Sequence, residues 1–341
     1  MTALLEITGL EVHFPIGGGL FRRPRGMVHA VDGVDLTLEE GEILALVGES
    51  GCGKTTLGRA ILGLVEPTAG SIRFAGTEVV GQTADARRDY HRHVQMVFQD
   101  PYDSLNPRKT VLQTLAQPLE RHRVVTSGDR ADAVVRLLDR VGLSPGRSFL
   151  DRYPHQFSGG QRQRIGIARA LAVEPRLIVA DEAVSALDIS IRAQILDLLR
   201  RLQREDGLAY LFITHDLGVV RSFADRVAVM YLGEVVEEGP TDSLFALPRH
   251  PYSRALLDAS PVADPVRARA RRTAPLTGDV PSPADPPPGC RFHTRCPVAR
   301  AICSREAPAR HSFADGHWSA CHFAAEAARW QPARHPETTP A

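Results

Sequence analysis

The chain has 341 residues, 43% of them hydrophobic, a length that suits two domains or one large domain with an appendage. Its 41 Lys and Arg almost balance 40 Asp and Glu, so a net charge of +1 gives no overall field toward nucleic acid or acidic membranes. No apolar run approaches the roughly 18 residues that span a bilayer, and residues 1–6 lack a signal peptide's basic region. A soluble, cytosolic chain is therefore expected, with any membrane role exercised through a partner. The cluster Arg267, Arg269, Arg271 and Arg272 reads as a solvated linker rather than a nucleic-acid site.

The first third is β-rich. Leu4–Ile7, Val12–Phe14, Val31–Leu38 and Ile43–Val47 are short apolar or alternating runs, and the Gly-, Pro- and Arg-rich stretch between Phe14 and Val28 reads as a loop. A helix is predicted over Leu57–Leu62. Ser71–Phe74 and Glu78–Val80 should form a hairpin with a three-residue connection, Ala75-Gly76-Thr77. Val94–Phe98 reads as a buried strand that delivers Gln99.

Residues 110–157 change character. Val111–His122 and Asp129–Val141 carry helical periodicity, with Ala133, Leu137, Leu138 and Val141 on one stripe, as in a helical insertion between two parts of an α/β core. Ser158 is a suitable N-cap for a third helix, with Ile165, Ala168 and Ala172 facing inward. Leu177–Ala180 is uniformly apolar, as a parallel strand buried on both faces must be, and ends at Asp181-Glu182. Ile191, Ile195, Leu198, Leu199 and Leu202 form another helical stripe. Tyr210–Ile213 is a further buried strand ending at Thr214-His215-Asp216. This alternation predicts a doubly wound parallel sheet. After about residue 248 the composition shifts, and Pro281, Pro283, Pro286, Pro287 and Pro288 stiffen a linker before a cysteine-rich segment. A disordered tail is expected over 330–341.

Gly48-Glu49-Ser50-Gly51-Cys52-Gly53-Lys54-Thr55-Thr56 matches G-x-x-x-x-G-K-[ST]. The strand before it and the helix after it distinguish it from a flexible glycine turn. Glycines let the backbone curl so that the amides from Gly48 through Thr56, those of Ser50 and Cys52 included, cradle phosphate at a helix N-terminus. Lys54 can reach the β- and γ-phosphates and the Thr55 hydroxyl can ligate Mg²⁺. Asp181 is positioned to hold Mg²⁺ directly or through water, and Glu182 to polarise the attacking water. Gln99 could bridge metal and water, and His215 could contact the γ-phosphate. Taken singly, a strand-end glutamine or a lone histidine is as readily structural.

Together these residues resemble the ATP-binding-cassette (ABC) ATPases. Ser158-Gly159-Gly160-Gln161 looks like their signature motif, Gln99 their glutamine loop, Ser185-Ala186-Leu187-Asp188 their D-loop and His215 their switch histidine, in order across residues 1–245. The resemblance implies a RecA-like P-loop core with an antiparallel β subdomain and a helical subdomain at about 100–175. The composition shift sets a boundary near 248, followed by a cysteine-bearing extension over 249–329. By the same resemblance Phe14 should stack on adenine. Phe157 replaces the usual leucine before Ser158. Ala183 stands where proline commonly follows the catalytic glutamate, which removes some preset turn geometry and could lower activity modestly.

Asn106-Pro107-Arg108, Tyr153-Pro154-His155, Arg249-His250-Pro251-Tyr252 and Pro286–Cys290 narrow the resemblance to ATPase subunits of dipeptide and oligopeptide importers, with nickel importers sharing much of it. This implies a peripheral subunit on the cytoplasmic face of the inner membrane, docked on two permease subunits that an extracytoplasmic binding protein serves. A second ATPase, a paralogue or another copy, would pair head to tail so that each ATP lies between one phosphate loop and the other chain's Ser158 segment. A soluble non-transport ABC ATPase fits less well, since neither a long coiled-coil insertion nor a second cassette is present. A GTPase or kinase lacks a place for the Ser158 signature.

Cys290, Cys296, Cys303 and Cys321 are spaced C-x₅-C-x₆-C-x₁₇-C, which matches neither zinc-finger nor ferredoxin patterns. Four thiolates can hold Zn²⁺ or a [4Fe–4S] cluster, or stay as plain thiols or a labile disulfide. The peptide-importer resemblance favours the cluster, with His293, His311, His317 and His322 as substitute ligands.

Overall fold

A computed structural model describes residues 3–17, 25–99, 104–126, 128–260 and 278–330. β1 (Leu5–Ile16) and β2 (Gly26–Leu38) pair antiparallel from Leu5↔Leu38 to Ile16↔Gly26, with bulges that break the register between Ile7 and His13. The stretch read as a loop from Phe14 to Val28 is thus strand at both ends, because ladder pairing continues past the apolar residues that signal a strand. Its middle, 18–24, lies outside the described residues, as do Arg267–Arg272 and the tail beyond 330.

β3 (Ile43–Val47) leads through the glycine turn into α1 (Lys54–Ile61), which starts three residues earlier than the apolar pattern suggests. β4 (Ala69–Phe74) and β5 (Thr77–Glu78) complete a four-stranded antiparallel sheet in the order β2-β1-β4-β5. Their connection has two residues, not three. Phe74 pairs with Thr77, and Ala75 (φ 47°) and Gly76 (φ 77°) both adopt the left-handed region that a tight hairpin twisted like its strands requires. α2 (Ala84–His93) escaped the sequence reading because it buries only Tyr90 and so shows no apolar stripe.

The second sheet holds β6 (Val94–Val97), β7 (Leu177–Asp181), β8 (Ala209–Ile213), β9 (Arg226–Tyr231), β10 (Glu234–Pro240), β11 (His311–Ser312) and β12 (Trp318–Ser319). The order is β11-β12-β10-β9-β3-β8-β7-β6. Strands β9-β3-β8-β7-β6 are parallel, and β10, β12 and β11 continue the edge antiparallel. Successive side chains on a strand point to opposite faces, so each central strand feeds two cores. Ile43, Ala45, Val47, Ile178, Ala180, Tyr210 and Phe212 enter one, whereas Leu44, Leu46, Leu177, Val179, Leu211 and Ile213 enter the other.

The second core is closed by α1 and the antiparallel sheet. The first is closed by α3 (Val111–Arg121), α4 (Arg130–Arg140), α5 (Gly159–Leu171), α6 (Ile189–Asp206) and α7 (Leu217–Phe223). Of these, α3, α4 and α5 pack on one another as the helical subdomain. α8 (Thr241–Ala246) and α9 (Pro251–Ala259) follow β10.

Packing does not break at residue 248. β12 pairs with β10 through Glu237↔Ser319 and Glu238↔Trp318, and Tyr252 and Phe292 belong to the first core. Glu237 is fully buried, accepting hydrogen bonds from the Arg249 and His250 amides and lying 2.7 Å from His317 Nε2. A buried carboxylate with three partners satisfies the demand that burial makes on a charge. The described part of the extension, 278–330, is thereby joined to the eight-stranded sheet. No described helix is long and apolar enough to cross a membrane.

Candidate nucleotide site

The phosphate loop leaves β3 between two walls. A Cβ on Gly48 would stand 2.2 Å from the Met230 carbonyl oxygen, and one on Gly53, at φ 110°, would stand 2.0 Å from that of Ala30. Glycine is required at both places by space, and at Gly53 by conformation too. Lys54, the first residue of α1, is buried; its Nζ donates to the carbonyls of Gly48 and Glu49 at 2.8 Å each and lies 3.6 Å from Cys52 Sγ. The ammonium therefore closes the loop into a ring around its own positive charge. Ser50 and Gly51 are exposed at the tip, while Thr55 and Thr56 lie in the first turn of α1, where free amides gather.

The Thr55 hydroxyl donates to Asp181 Oδ1 at 3.3 Å. Burial raises the Asp181 carboxyl above its ordinary range, the Thr55 bond opposes this, and the neighbouring Glu182 charge adds to it. A divalent cation between Thr55 and Asp181 would remove that penalty. Glu182 follows at φ 48°, an uncommon left-handed conformation for a residue with a Cβ. Its Oε2 accepts from Gln99 Nε2 at 2.9 Å, and its Oε1 lies 3.2 Å from His215 Nδ1. Gln99, Glu182 and His215 stand just past the ends of β6, β7 and β8, which are neighbours in the sheet. Parallel adjacency converts three distant sequence positions into one cluster.

Ser158 Oγ accepts from the Gln161 amide and Gln161 Oε1 from the Ser158 amide, a reciprocal cap at the start of α5. Gly159 and Gly160 pack toward Leu187 and Ile191, and a Cβ on Gly160 would stand 2.4 Å from Ile191 Cγ2. Asp188 is exposed and its carbonyl accepts from the Arg192 amide. Phe14 is 40% exposed and pairs with Val28 near the start of β2. Phe157 is buried against Phe149, so the larger side chain is accommodated. The turn after Glu182, which lacks the customary proline, is held instead by Gln163 Nε2 donating to the Ala183 carbonyl at 2.7 Å and by Ser185 Oγ donating to the Glu182 carbonyl at 3.0 Å.

Arg192 was not read from the sequence. Its guanidinium donates to Asp216 Oδ2 at 2.6 Å and to the Leu187 carbonyl at 3.4 Å, joining the Ser185–Asp188 loop to the residue after His215. An arginine within a helical stripe gives no sequence signal for such a role.

A family model for ABC transporters matches residues 31–185, and one for the oligopeptide/dipeptide transporter C-terminal region matches residues 236–303. The oligopeptide transport ATP-binding protein AppF of Bacillus subtilis is 51% identical over 321 residues, covering 94% of this chain and 97% of that protein. The chain belongs to the ABC transporter ATPases. OppF of Salmonella typhimurium, also an oligopeptide transport ATP-binding protein, is 51% identical over 308 residues, 89% of this chain and 92% of that protein. Among solved structures, the dimer of the ATP-binding cassette MJ0796 in a post-hydrolysis state with ADP and Pi matches with a TM-score of 0.61 at 30% identity, over 70% of this chain and 98% of that one. As an ABC ATPase the chain binds ATP with Mg²⁺ and hydrolyses it.

The ABC ATPase carries its four late cysteines around one small cavity, lined also by His250, Phe292, His293 and His322. All four are free thiols. Burial pushes Cys290 up to about 11 and Cys296 and Cys321 up to about 12, so these thiols stay protonated unless a cation claims them. Among the described residues no three of these sulfurs come within 4.8 Å of one another.

Proposed function

We propose that this ABC ATPase powers the import of dipeptides or oligopeptides through a membrane transporter. The carrying observation is the Glu182 carboxylate held between Gln99 and His215, at the end of a strand that β8 alone separates from β3 and its phosphate loop. The relatives' own descriptions name peptides, which favours peptide over nickel as cargo.

Lys54 exchanges its bonds to Gly48 and Glu49 for β- and γ-phosphate oxygens, and the loop amides hold the remaining oxygens. Mg²⁺ at Thr55, Asp181 and Gln99 would supply charge neutralisation on the phosphates. Glu182 accepts a proton from, or orients, the attacking water, and His215 turns from Glu182 to the γ-phosphate. Phe14 offers an exposed ring for adenine. Ser158-Gly159-Gly160-Gln161 and Asp188 complete the site of a second ATPase subunit, a paralogue or another copy, in a head-to-tail dimer. A groove of about 430 Å³ between α3 and the core, lined by Gln95, Asn106, Lys109, Gln117, Arg121 and Arg169, is the surface for a permease segment. Two such permeases and an extracytoplasmic binding protein complete the assembly, with this subunit peripheral on the cytoplasmic side.

The cysteine cavity fits a metal group, since four thiols share one small pocket with three histidines. A single Zn²⁺ at about 2.3 Å from each sulfur would draw the four within about 3.8 Å of one another. The preferred group is a [4Fe–4S] cluster, whose cysteines bind separate irons. Cys290, Cys296, Cys303 and Cys321 would hold it, and it would tie the extension together. The function is tested by uptake of a labelled dipeptide or oligopeptide in cells lacking the chain. Wild type should restore uptake and Glu182→Gln should not; equal uptake without the chain would overturn the reading.

A further inference from the structure

Between Cys290 and Cys296 the extension sends two arginines into the nucleotide-binding half of the molecule. Arg295, only 8% exposed, forks onto Glu49, the second residue of the phosphate loop, with NH1 to Oε2 at 2.7 Å and NH2 to Oε1 at 3.1 Å. Two parallel charge-assisted bonds fix direction as well as distance. The Glu49 amide donates to the hydroxyl of Tyr252, whose ring is buried against Tyr231 and Phe292. Phe292 in turn lines the cysteine cavity. Arg291, four residues before Arg295, pairs with Asp32 of β2 and Glu234 and donates to the Leu232 carbonyl. Next to Leu232, the Gly233 amide donates to the Cys52 carbonyl at 2.9 Å. The phosphate loop is therefore gripped at Glu49 directly and at Cys52 through one turn, both grips originating in residues 291–295.

We propose that the segment Arg291–Arg295 positions the phosphate loop for ATP, so that the C-terminal extension is part of the nucleotide site. The inference deepens the ATPase reading and rests on it. The loop must present amides to an anion, yet Glu49 places a carboxylate within it. Arg295 neutralises that charge and draws it toward the extension, while Tyr252 holds the Glu49 amide and fixes the turn from the same side. An unpaired Glu49 would repel the phosphates and free the turn. Arg295 and Tyr252 are positioning residues, since they act on ATP only through Glu49.

The test measures ATP affinity with a non-hydrolysable analogue and Mg²⁺ on the full-length chain, alongside the melting temperature. Arg295→Gln should raise Kd about tenfold, as loss of a charge-assisted pair beside a bound anion does. The double variant Glu49→Gln/Arg295→Gln should recover most of that loss, because the repelling charge is gone. In steady state Arg295→Gln should raise KM for ATP with kcat almost unchanged, whereas a purely structural role would lower the active fraction and leave KM alone. A folded Arg295→Gln with Kd within twofold of wild type, or a loss that the double variant does not recover, overturns the proposal. Should Arg295→Gln not fold, Arg295→Lys decides instead. It keeps the charge without the fork, and a severalfold weaker Kd recovered by Glu49→Gln supports the proposal, while an unchanged Kd overturns it. A wild-type chain that bound no ATP would overturn the ATPase reading and this inference with it.

Discussion

His215 Nδ1 lies 3.2 Å from Oε1 of Glu182, while Gln99 holds the other oxygen of the same carboxylate at 2.9 Å. In the proposed mechanism Glu182 is the base, and Gln99 and His215 fix the direction of its two oxygens.

Glu182→Gln should therefore abolish turnover while sparing binding. The amide keeps the shape and can still bond Gln99 and His215, but it cannot take a proton. Phosphate release should fall by at least about 10²-fold, the scale of a lost general base, with ATP Kd changed by no more than a few-fold. Normal hydrolysis in this variant would remove Glu182 from its role.

Gly53→Ala should damage both stability and binding. Its Cβ would meet the Ala30 carbonyl at 2.0 Å in a φ of 110° that alanine avoids. Strain of this kind costs about 1–3 kcal/mol and the clash adds to it. Thermal denaturation should show a drop of several degrees, and equilibrium binding a loss of ATP affinity beyond what the unfolded fraction explains.

Glu237→Ala should loosen the extension. It strands the Arg249 and His250 amides and His317 in a buried site. Leaving a buried donor without its acceptor costs about 1–3 kcal/mol. Chemical denaturation should report a loss of that order, and limited proteolysis should cut within residues 278–330 earlier than in wild type.

Iron and labile sulfide in anaerobically purified protein should each approach about four per chain, as one cubane cluster requires. Cys303→Ala should lower both. Zinc alone at stoichiometric level would end the cluster assignment, and so would a metal-free protein with full ATP affinity and unchanged stability.

Legibility in the sequence followed burial. β7 and β8 were readable because they are buried throughout and apolar up to the terminal Asp181 of β7, and α4 because its stripe is clean. α2 was not, since one tyrosine anchors it, and β10 was missed because its buried Glu237 and Glu238 break the apolar pattern. At the site, the spacing of glycines around Lys54 and the acids at the end of β7 marked the candidate groups. Their mutual contact was not readable, because it depends on β6, β7 and β8 lying side by side across long crossovers. The pairing of Glu49 with Arg295 was further still from view: nothing local to either residue marks a partner 246 positions away.

The pairing of β12 with β10 also sets a timetable for biosynthesis. Glu237 leaves the ribosome about 80 residues before Ser319, its neighbour in the ladder. At about 5–20 residues per second, the outer edge of β10 waits on the order of 4–16 s for the strand that covers it. Through that interval it is an open template for any other extended segment, including the same strand on a neighbouring nascent chain. Slow translation through residues 240–320 should therefore raise the aggregated fraction of newly made protein, whatever the stability of the finished fold.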